Sequence, residues 1–102
     1  MSLKKQYLKS RPVCKVTFRL PKKAARGSRQ VFLVGDFNAW SHTANPMQRL
    51  KSGEFKLIME LAPKREYQYR YLLDNGQWIN DWDADKYIYS TFGKCDNSVV
   101  AV

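Results

Sequence analysis

Three tryptophans are the residues of this 102-residue chain best suited to binding chemistry. Trp40, Trp78 and Trp82 all lie in or beside turn-like segments rather than at the alternating apolar positions of a core. A large aromatic side chain outside the core commonly marks a contact surface. A flat indole stacks well on two kinds of partner, nucleobases and pyranose rings. We therefore predict a binding surface built around these tryptophans.

Planar polar side chains near the tryptophans could bind the hydroxyl groups at the rim of a sugar. Arg70, Gln77 and Asn97 supply hydrogen-bond donors, and an arginine fork can bridge two adjacent hydroxyls in one plane. Arg70 alternates with tyrosines in its predicted strand, so it faces outward if the tyrosines face the core. Pairing of Arg70 with a surface acid such as Glu66 or Asp81 is the alternative.

The chain offers little for catalysis or for metal binding. His42, the single histidine, has no nucleophile or orienting partner at a recognisable spacing, so we expect a solvated loop imidazole. Asp81–Asp85 opens like a calcium loop, but Lys86 stands at its sixth position, where glycine is needed, and Phe92 at its twelfth, where glutamate is needed. We predict no enzymatic activity, no metal and no cofactor.

The cysteines and the amino terminus indicate the compartment. Cys14 and Cys95 form no CxxC pair, and with one histidine they make no zinc site. Met1–Ser10 lacks the apolar core of a signal peptide, and no apolar run approaches the roughly 20 residues that span a bilayer. A disulfide between the first and last strands is conceivable, but we expect free thiols and a cytoplasmic protein without membrane contact.

The formal net charge of +9 is unevenly distributed. Residues 1–35 hold ten basic and no acidic residues, whereas residues 36–102 hold eight basic and nine acidic ones. Such a charge alone would suggest a nucleic acid partner. Because the tryptophans lie in the nearly neutral part, we do not expect nucleic acid binding. We divide the chain into a flexible basic leader, 1–12, and one domain, 13–102.

Short β-strands must position these residues. Apolar and polar residues alternate with a period of two, and no segment resembles an amphipathic helix of ten residues. Turn chemistry at Asp74–Gly76 makes residues 66–80 a hairpin, and Asp81 to Phe92 reads as irregular. Pro21 to Gln30 could hold a helical turn at Lys22–Arg26, but Gly27 and Ser28 favour a mobile loop. We predict an all-β antiparallel sandwich of six to eight strands. The strand-like segments are Val13–Leu20, Val31–Val34, Gly53–Leu61, Glu66–Leu73, Gln77–Asn80 and Ser98–Val102.

The segment VFLVGDFNAW, residues 31–40, resembles the strand-and-turn signature of the family 48 carbohydrate-binding modules. This family includes the N-terminal domains of isoamylases and glycogen branching enzymes, and the glycogen-binding domain of the AMP-activated protein kinase beta subunit. The resemblance covers roughly residues 13–102. Further segments match in the family's order, namely PM and L at 46–47 and 50, GEF at 53–55, YQYRY at 67–71, DNGQW at 74–78, D at 81, FG at 92–93 and NSVV at 97–100.

This resemblance implies an immunoglobulin-like early-set β-sandwich that binds α-1,4-glucans such as glycogen without catalysis. By motif, the stacking tryptophans fall on Trp40 and Trp78, the basic residue that bonds hydroxyls on Arg70, and the asparagine on Asn97. Arg70 stands where the kinase type has a lysine. The turn before Trp78, at Asp74–Gly76, has one residue more in this chain than in the kinase type.

The sequence also offers two further candidate binding residues and one alternative function. Trp82 and Gln77 are additional candidates for binding. The alternative function is a regulatory or protein-interaction subunit that docks a glycogen-metabolism enzyme or kinase in trans.

Overall fold

Strands with alternating apolar residues pair into two antiparallel sheets. The computed structural model describes residues 3–91 and 95–102 of the chain. The strands are β1 (Leu3–Tyr7), β2 (Cys14–Leu20), β3 (Val31–Gly35), β4 (Gln48–Arg49), β5 (Phe55–Leu61), β6 (Glu66–Leu73), β7 (Trp78–Ile79), β8 (Lys86–Ser90) and β9 (Cys95–Ala101). Two short helical segments, α1 (Lys22–Ala25) and a 3-10 turn (Asp36–Asn38), interrupt the strands. One sheet has the strand order β1-β2-β5-β4 and the other β3-β6-β9-β8, with β7 paired to β6.

The core lies between the two sheets and is rich in aromatic side chains. Phe18 of the first sheet meets Tyr69 of the second edge-on, with ring centroids 5.1 Å apart. Phe55 and Tyr71 are also fully buried, at 1% and 0% exposure. Full burial of one such side chain contributes about 1.5–3 kcal/mol to folding. The inward-facing residues of β2, β5 and β6 therefore hold the sandwich together, and the intervening residues face outward.

The predicted all-β antiparallel sandwich is confirmed, and the described residues contain nine strands. Three of these strands, β1, β4 and β8, lie outside the six segments that the sequence predicted as strands. The predicted leader contributes β1, which pairs with β2 from Leu3 opposite Phe18 to Tyr7 opposite Cys14. The division of the chain at residue 12 remains a prediction.

Two segments differ from the sequence expectation. The segment Pro21 to Gln30, expected to be a loop, contains α1, which matches the alternative of a helical turn there. Ala24 and Ala25 pack against the core, and the left-handed Arg26, with φ of 51°, ends the helix. The segment expected to be irregular contains β8, the edge strand of the second sheet. Most of β8 is exposed, so its sequence lacks the alternation that marks a half-buried strand.

Membrane-spanning helices, metal-binding clusters and disulfides are absent from the part of the chain that the structure describes. Within residues 3–91 and 95–102, no helix has the length and apolar character needed to cross a membrane. The same ranges hold no cluster of three or more His, Cys, Asp or Glu side chains that could bind a metal ion. Cys14 and Cys95 are free thiols, so the conceivable disulfide between them is not formed.

Candidate functional site

A groove of about 610 Å³ lies on the outer face of the second sheet. The tyrosines of β6 point into the core, so the residues between them, Gln68 and Arg70, point outward. Cross-strand pairing brings Val34 of β3 beside Arg70 and Val99 of β9 beside Gln68 on the same face. The groove combines aromatic walls with a polar floor. Its lining residues are Asp36, Trp40, His42, Gln68, Arg70, Trp78, Ser90 and Asn97.

Asp36 holds Trp40 at one side of the groove. The indole Nε1–H of Trp40 donates to Asp36 Oδ1 at 2.9 Å, and the backbone N–H of Gln68 donates to Asp36 Oδ2 at 2.7 Å. One carboxylate thus ties the turn after β3 to the neighbouring strand β6. Ala39 and Trp40 both have left-handed backbones, with φ of 54° and 58°. Non-glycine residues adopt this conformation only when their surroundings enforce it, so the orientation of Trp40 is built into the turn.

Gly35, directly before Asp36, permits the close approach of β3 to β6. A Cβ at Gly35 would lie 2.4 Å from the carbonyl oxygen of Gln68 and 2.8 Å from Cβ of Tyr69. The backbone of Gly35 is extended, with φ of −176°, so the requirement for glycine is spatial and not conformational. Any side chain here would separate Asp36 from Gln68 and displace the Trp40 turn.

Trp78 forms another wall of the groove, with His42 packed against it. Trp78 lies in β7 opposite Leu72 and is 36% exposed. The His42 ring meets the indole edge-on, with centroids 5.1 Å apart and an interplanar angle of 75°. The loop that carries His42 returns along β3, where Leu33 N–H donates to Asn45 O at 2.9 Å. His42 is therefore placed against Trp78 by an anchored loop.

A chain of hydrogen bonds between Arg70, Asn97 and Gln68 forms the polar floor. Arg70 Nε–H donates to Asn97 Oδ1 at 2.6 Å, and Asn97 Nδ2–H donates to Gln68 Oε1 at 2.9 Å. Arg70 Nη2 also contacts the sulfur of Cys95. Among the described residues, Nη1 of Arg70 has no hydrogen-bond partner, so it retains donors that can face a ligand.

The alternative of an ion pair between Arg70 and a surface acid is wrong. Glu66 pairs with Lys86 at 2.7 Å. Asp81 is 2% exposed, and its carboxylate lies in the interior, away from the guanidinium. Arg70 is therefore held by a neutral amide and a thiol, and its positive charge is directed toward the groove.

A buried acid beneath the second sheet supports β6 from the core side. The hydroxyls of Tyr69 and Tyr71 donate to Asp81 Oδ2 at 2.7 and 3.1 Å. Burial is the main cause that raises the pKa of both phenols well above the ordinary tyrosine value, and the nearby charge of Asp81 raises it further. Ser98 Oγ accepts the backbone N–H of Asp81 at 2.8 Å, which joins this network to β9.

The acids of the calcium-like run are engaged in hydrogen bonds within the protein. Asp81 accepts from the two tyrosines and from the backbone N–H of Asp83 at 2.9 Å. Asp85 accepts from Lys5 Nζ at 2.7 Å, which links β1 of the first sheet to the start of β8 in the second. Phe92, which would be the twelfth residue of a calcium loop that begins at Asp81, lies outside the described residues.

The structure brings four of the six predicted binding residues together. Trp40, Arg70, Trp78 and Asn97 all line the groove. Trp82 is 64% exposed but does not line it, and neither does Gln77, which follows the turn before Trp78. The predicted binding roles of these six residues stay predictions; the structure establishes only which of them share one surface.

Sequence reasoning missed four lining residues, Asp36, His42, Gln68 and Ser90. His42 is exposed in its loop as expected, but its packing against Trp78 was not foreseen. Gln68 stands two positions before Arg70, so strand alternation already places it on the same face. The contact between Asp36 and Gln68 joins residues 32 positions apart and has no local sequence signal.

Comparison with known proteins gives a consistent set of matches. The family described as the glycogen recognition site of AMP-activated protein kinase matches residues 14–101. The chain is 36% identical over 76 residues to 5'-AMP-activated protein kinase subunit beta-2 of Mus musculus, covering 74% of this chain and 26% of that protein. It is also 36% identical over 73 residues to subunit beta-1 of Sus scrofa, covering 72% of this chain and 55% of that protein. The chain thus spans between about a quarter and about half of the curated relatives it matches.

Proposed function

This chain belongs to the family of glycogen recognition sites of AMP-activated protein kinase, and on that premise we propose that it binds α-1,4-glucan chains in the groove. The observation that supports this most directly is that two tryptophans and an arginine, whose Nη1 donors are used by no described residue, lie on one sheet face. Trp40 and Trp78 provide flat apolar surfaces for the C–H faces of glucose rings. Arg70 provides hydrogen bonds to the hydroxyls at the ring edges.

The charge of the groove suits an uncharged ligand. Within the described part of the groove, the carboxylate of Asp36 and the guanidinium of Arg70 carry opposite charges. Asp36 is already engaged by Trp40 and Gln68, so it is used to hold the site together. Among the lining residues that the structure describes, Arg70 offers a polyanion one fixed positive charge, whereas a neutral polysaccharide uses both the aromatic walls and the donors.

The affinity of this site for a short glucan should be modest. Each stacked aromatic contributes about 1 kcal/mol beyond the area it buries, and the groove is open to solvent. We expect a dissociation constant on the order of 0.1–1 mM for maltoheptaose. Tight attachment to a polysaccharide would come from its many chain ends and not from one site.

An NMR titration with maltoheptaose tests the proposal. The indole N–H signals of Trp40 and Trp78 should shift with a saturable curve, and Trp40→Ala or Trp78→Ala should weaken binding about tenfold. Trp82→Ala is the matched control, because it removes an exposed tryptophan that does not line the groove. Cellohexaose, whose β-1,4 linkages give a different chain shape, is the ligand control. Indole signals that do not move at millimolar maltoheptaose would contradict the proposal.

We further propose that this binding is non-catalytic. The carboxylates near the groove support this, because Asp36 bonds Trp40 and Gln68 while Asp81 is buried against tyrosines. Glycoside hydrolysis requires two carboxyl groups on either side of the scissile bond. Maltoheptaose incubated with the protein should keep its chain length, as judged by chromatography; shortened products would contradict this part of the proposal.

The outer face of the first sheet favours a second candidate function, docking of a protein partner. Lys4, Lys15 and Lys56 surround Ile58, which is 50% exposed, and we call this surface the basic face. None of these three lysines has an ion-pair partner among the described residues. An apolar residue within a ring of positive charge suits an acidic protein surface with an apolar centre.

The names of the relatives suggest the kind of partner, since they are subunits of a protein kinase. The docking proposal therefore predicts association with another kinase subunit through the basic face. Ile58→Asp should release such a partner, while maltoheptaose should leave the association intact. Release by maltoheptaose alone would assign the association to the groove instead.

A further inference from the structure

We propose that the chain has a second binding site, which takes a phosphate monoester, at the end of the sandwich formed by α1 and the turn before β5. A pocket of about 410 Å³ lies there, and we call it the anion pocket. It shares no lining residue with the groove. Four of its lining side chains are cationic and none is acidic. The lining residues are Lys22, Lys23, Ala25, Arg26, Gly27, Ser28, Arg49 and Gly53.

The four cations of the anion pocket have no counter-ions in the described part of the chain. The ion pairs of residues 3–91 and 95–102 use Lys5, Arg11, Arg19 and Lys86, and none uses Lys22, Lys23, Arg26 or Arg49. Like charges held together repel one another, and an anion bound among them removes this repulsion. The pocket therefore has an unsatisfied preference for negative charge.

The backbone around the anion pocket is well anchored, which separates it from a flexible basic tail. Ala24 and Ala25 attach α1 to the core at 3% and 2% exposure. Ser28 N–H donates to Ala25 O at 2.9 Å, and the left-handed Arg26 turns the chain back toward the sandwich. The helix thus holds its basic side chains on a rigid support.

Lys22 is also positioned through its aliphatic stem. A Cβ at Gly53 would lie 2.7 Å from Cδ of Lys22 and 2.9 Å from its Cγ, so the stem rests directly on the glycine. Gly53 itself has a φ of 93°, which L side chains rarely adopt. This contact brings the α1 segment to the turn before β5, where Arg49 of β4 completes the pocket.

The composition of the pocket favours a phosphate over a carboxylate. Two guanidinium groups offer planar forks that match phosphate oxygens, and two ammonium groups add point charges. A phosphate monoester carries up to two negative charges near neutral pH, so it balances more of the four positive charges than a carboxylate does. The volume is that of a small-molecule site. Two sources fit this chemistry, a phosphate ester on a sugar and free inorganic phosphate.

The test is an NMR titration of the intact chain with glucose 6-phosphate, inorganic phosphate and glucose at low salt. We expect saturable shifts of the amides in 22–28 and 49–53 with both phosphates and none with glucose. Inorganic phosphate that binds as tightly as the sugar ester would assign the pocket to free phosphate. Tighter binding of glucose 6-phosphate would assign it to a phosphorylated sugar.

Two double variants that lose the same charge distinguish binding in the anion pocket from attraction to the overall positive charge of the chain. Lys23→Gln combined with Arg26→Gln should weaken phosphate binding about tenfold or more, because two charge-assisted hydrogen bonds are lost. Lys9→Gln combined with Arg65→Gln removes the same charge from exposed positions outside the pocket and should change binding less than about twofold. Equal weakening in both double variants, or shifts that never saturate, would overturn the proposal. Maltoheptaose binding in the groove should be unchanged in both, so failure of one site is distinguishable from failure of the other.

Discussion

The guanidinium of Arg70 is held by Asn97, with Nε 2.6 Å from Oδ1. Asn97 is only 4% exposed, and its amide nitrogen is engaged by Gln68 at 2.9 Å. A side chain this buried, with both polar atoms already bonded, has little left to offer a ligand directly. Asn97 therefore acts mainly as a positioning residue for Arg70, whose remaining donors face the groove.

Substitution of Asn97 should distinguish positioning from direct contact. Asn97→Ala removes the acceptor for Arg70 and should weaken maltoheptaose binding about tenfold or more, because a hydrogen bond to a charged group contributes about 1.5–3 kcal/mol. Asn97→Asp keeps an acceptor oxygen and adds a charge-assisted bond, so its affinity should stay within about twofold of wild type. Isothermal titration calorimetry measures both. Equal loss in the two variants would indicate that Asn97 contacts the sugar through its amide nitrogen.

His42 should contribute through its contact with Trp78. His42→Ala removes an edge-on aromatic contact worth about 0.5–1.5 kcal/mol and should weaken maltoheptaose binding a few fold. His42→Phe keeps an aromatic edge and should restore most of the affinity. Thr43→Ala, one residue further along the same exposed loop, is the control and should bind like wild type. The titration of the Trp78 indole signal reports all three; unchanged affinity in His42→Ala would exclude this role.

Gly35→Ala should destabilise the fold and disturb the groove together. The added methyl would lie 2.4 Å from the Gln68 carbonyl oxygen, and we expect a loss of about 3 kcal/mol in the free energy of unfolding by urea. Gly76→Ala is the comparison, because its Cβ meets nothing within 4 Å and only its φ of 84° is unfavourable, at a cost of about 1 kcal/mol. The folded fraction of Gly35→Ala should also bind maltoheptaose more weakly. Equal stability of the two variants would show that β3 and β6 can separate without cost.

The buried phenols predict how stability depends on pH. The pKa values of Tyr69 and Tyr71 are raised in the folded chain, chiefly by burial, above their unfolded value of about 10. Their contribution to stability is therefore complete below about pH 10 and is lost as the pH rises from there toward the folded values. Both phenols should stay protonated until the chain unfolds in alkali.

Absorbance at 295 nm and far-ultraviolet circular dichroism, followed together, check this prediction. The phenolate absorbance of Tyr69 and Tyr71 should appear only with the loss of β-structure. Tyr69→Phe should remove part of that late absorbance step. Ionisation of both residues in a chain that keeps its circular dichroism would contradict the prediction.

Local alternation was enough to predict the strands that have one buried face. Every second residue is buried in β2, and in β6 from Tyr69 onward, and the predicted bounds, Val13–Leu20 and Glu66–Leu73, agree with the structure within one residue. β1 and β8 were missed because each is an edge strand with little burial on either face. An edge strand forms because a neighbour offers unpaired backbone groups, and its own sequence need not record this.

The candidate site, like the fold, was predictable from the sequence only in part. Turn chemistry and alternation predicted a surface around Arg70 and all three tryptophans, including Trp82, which does not line the groove. The family resemblance selected Trp40, Trp78 and Arg70. The groups that orient them come from distant parts of the chain, since Asp36 bonds Gln68 and His42 packs on Trp78 only after the sandwich has formed. The sequence shows a carboxylate in a turn and a histidine in a loop, but it does not show whether they contact such partners in the folded chain.

The groove and the basic face lie on the two outer surfaces of the same sandwich, with the core between them. Two packed sheets are only about 10 Å apart, yet an occupant of one outer surface does not obstruct the other. A protein held on the basic face would be retained wherever the groove is occupied. Its effective concentration at a polysaccharide surface would then rise without any contact of its own with sugar, so weak glucan binding would be sufficient to recruit it.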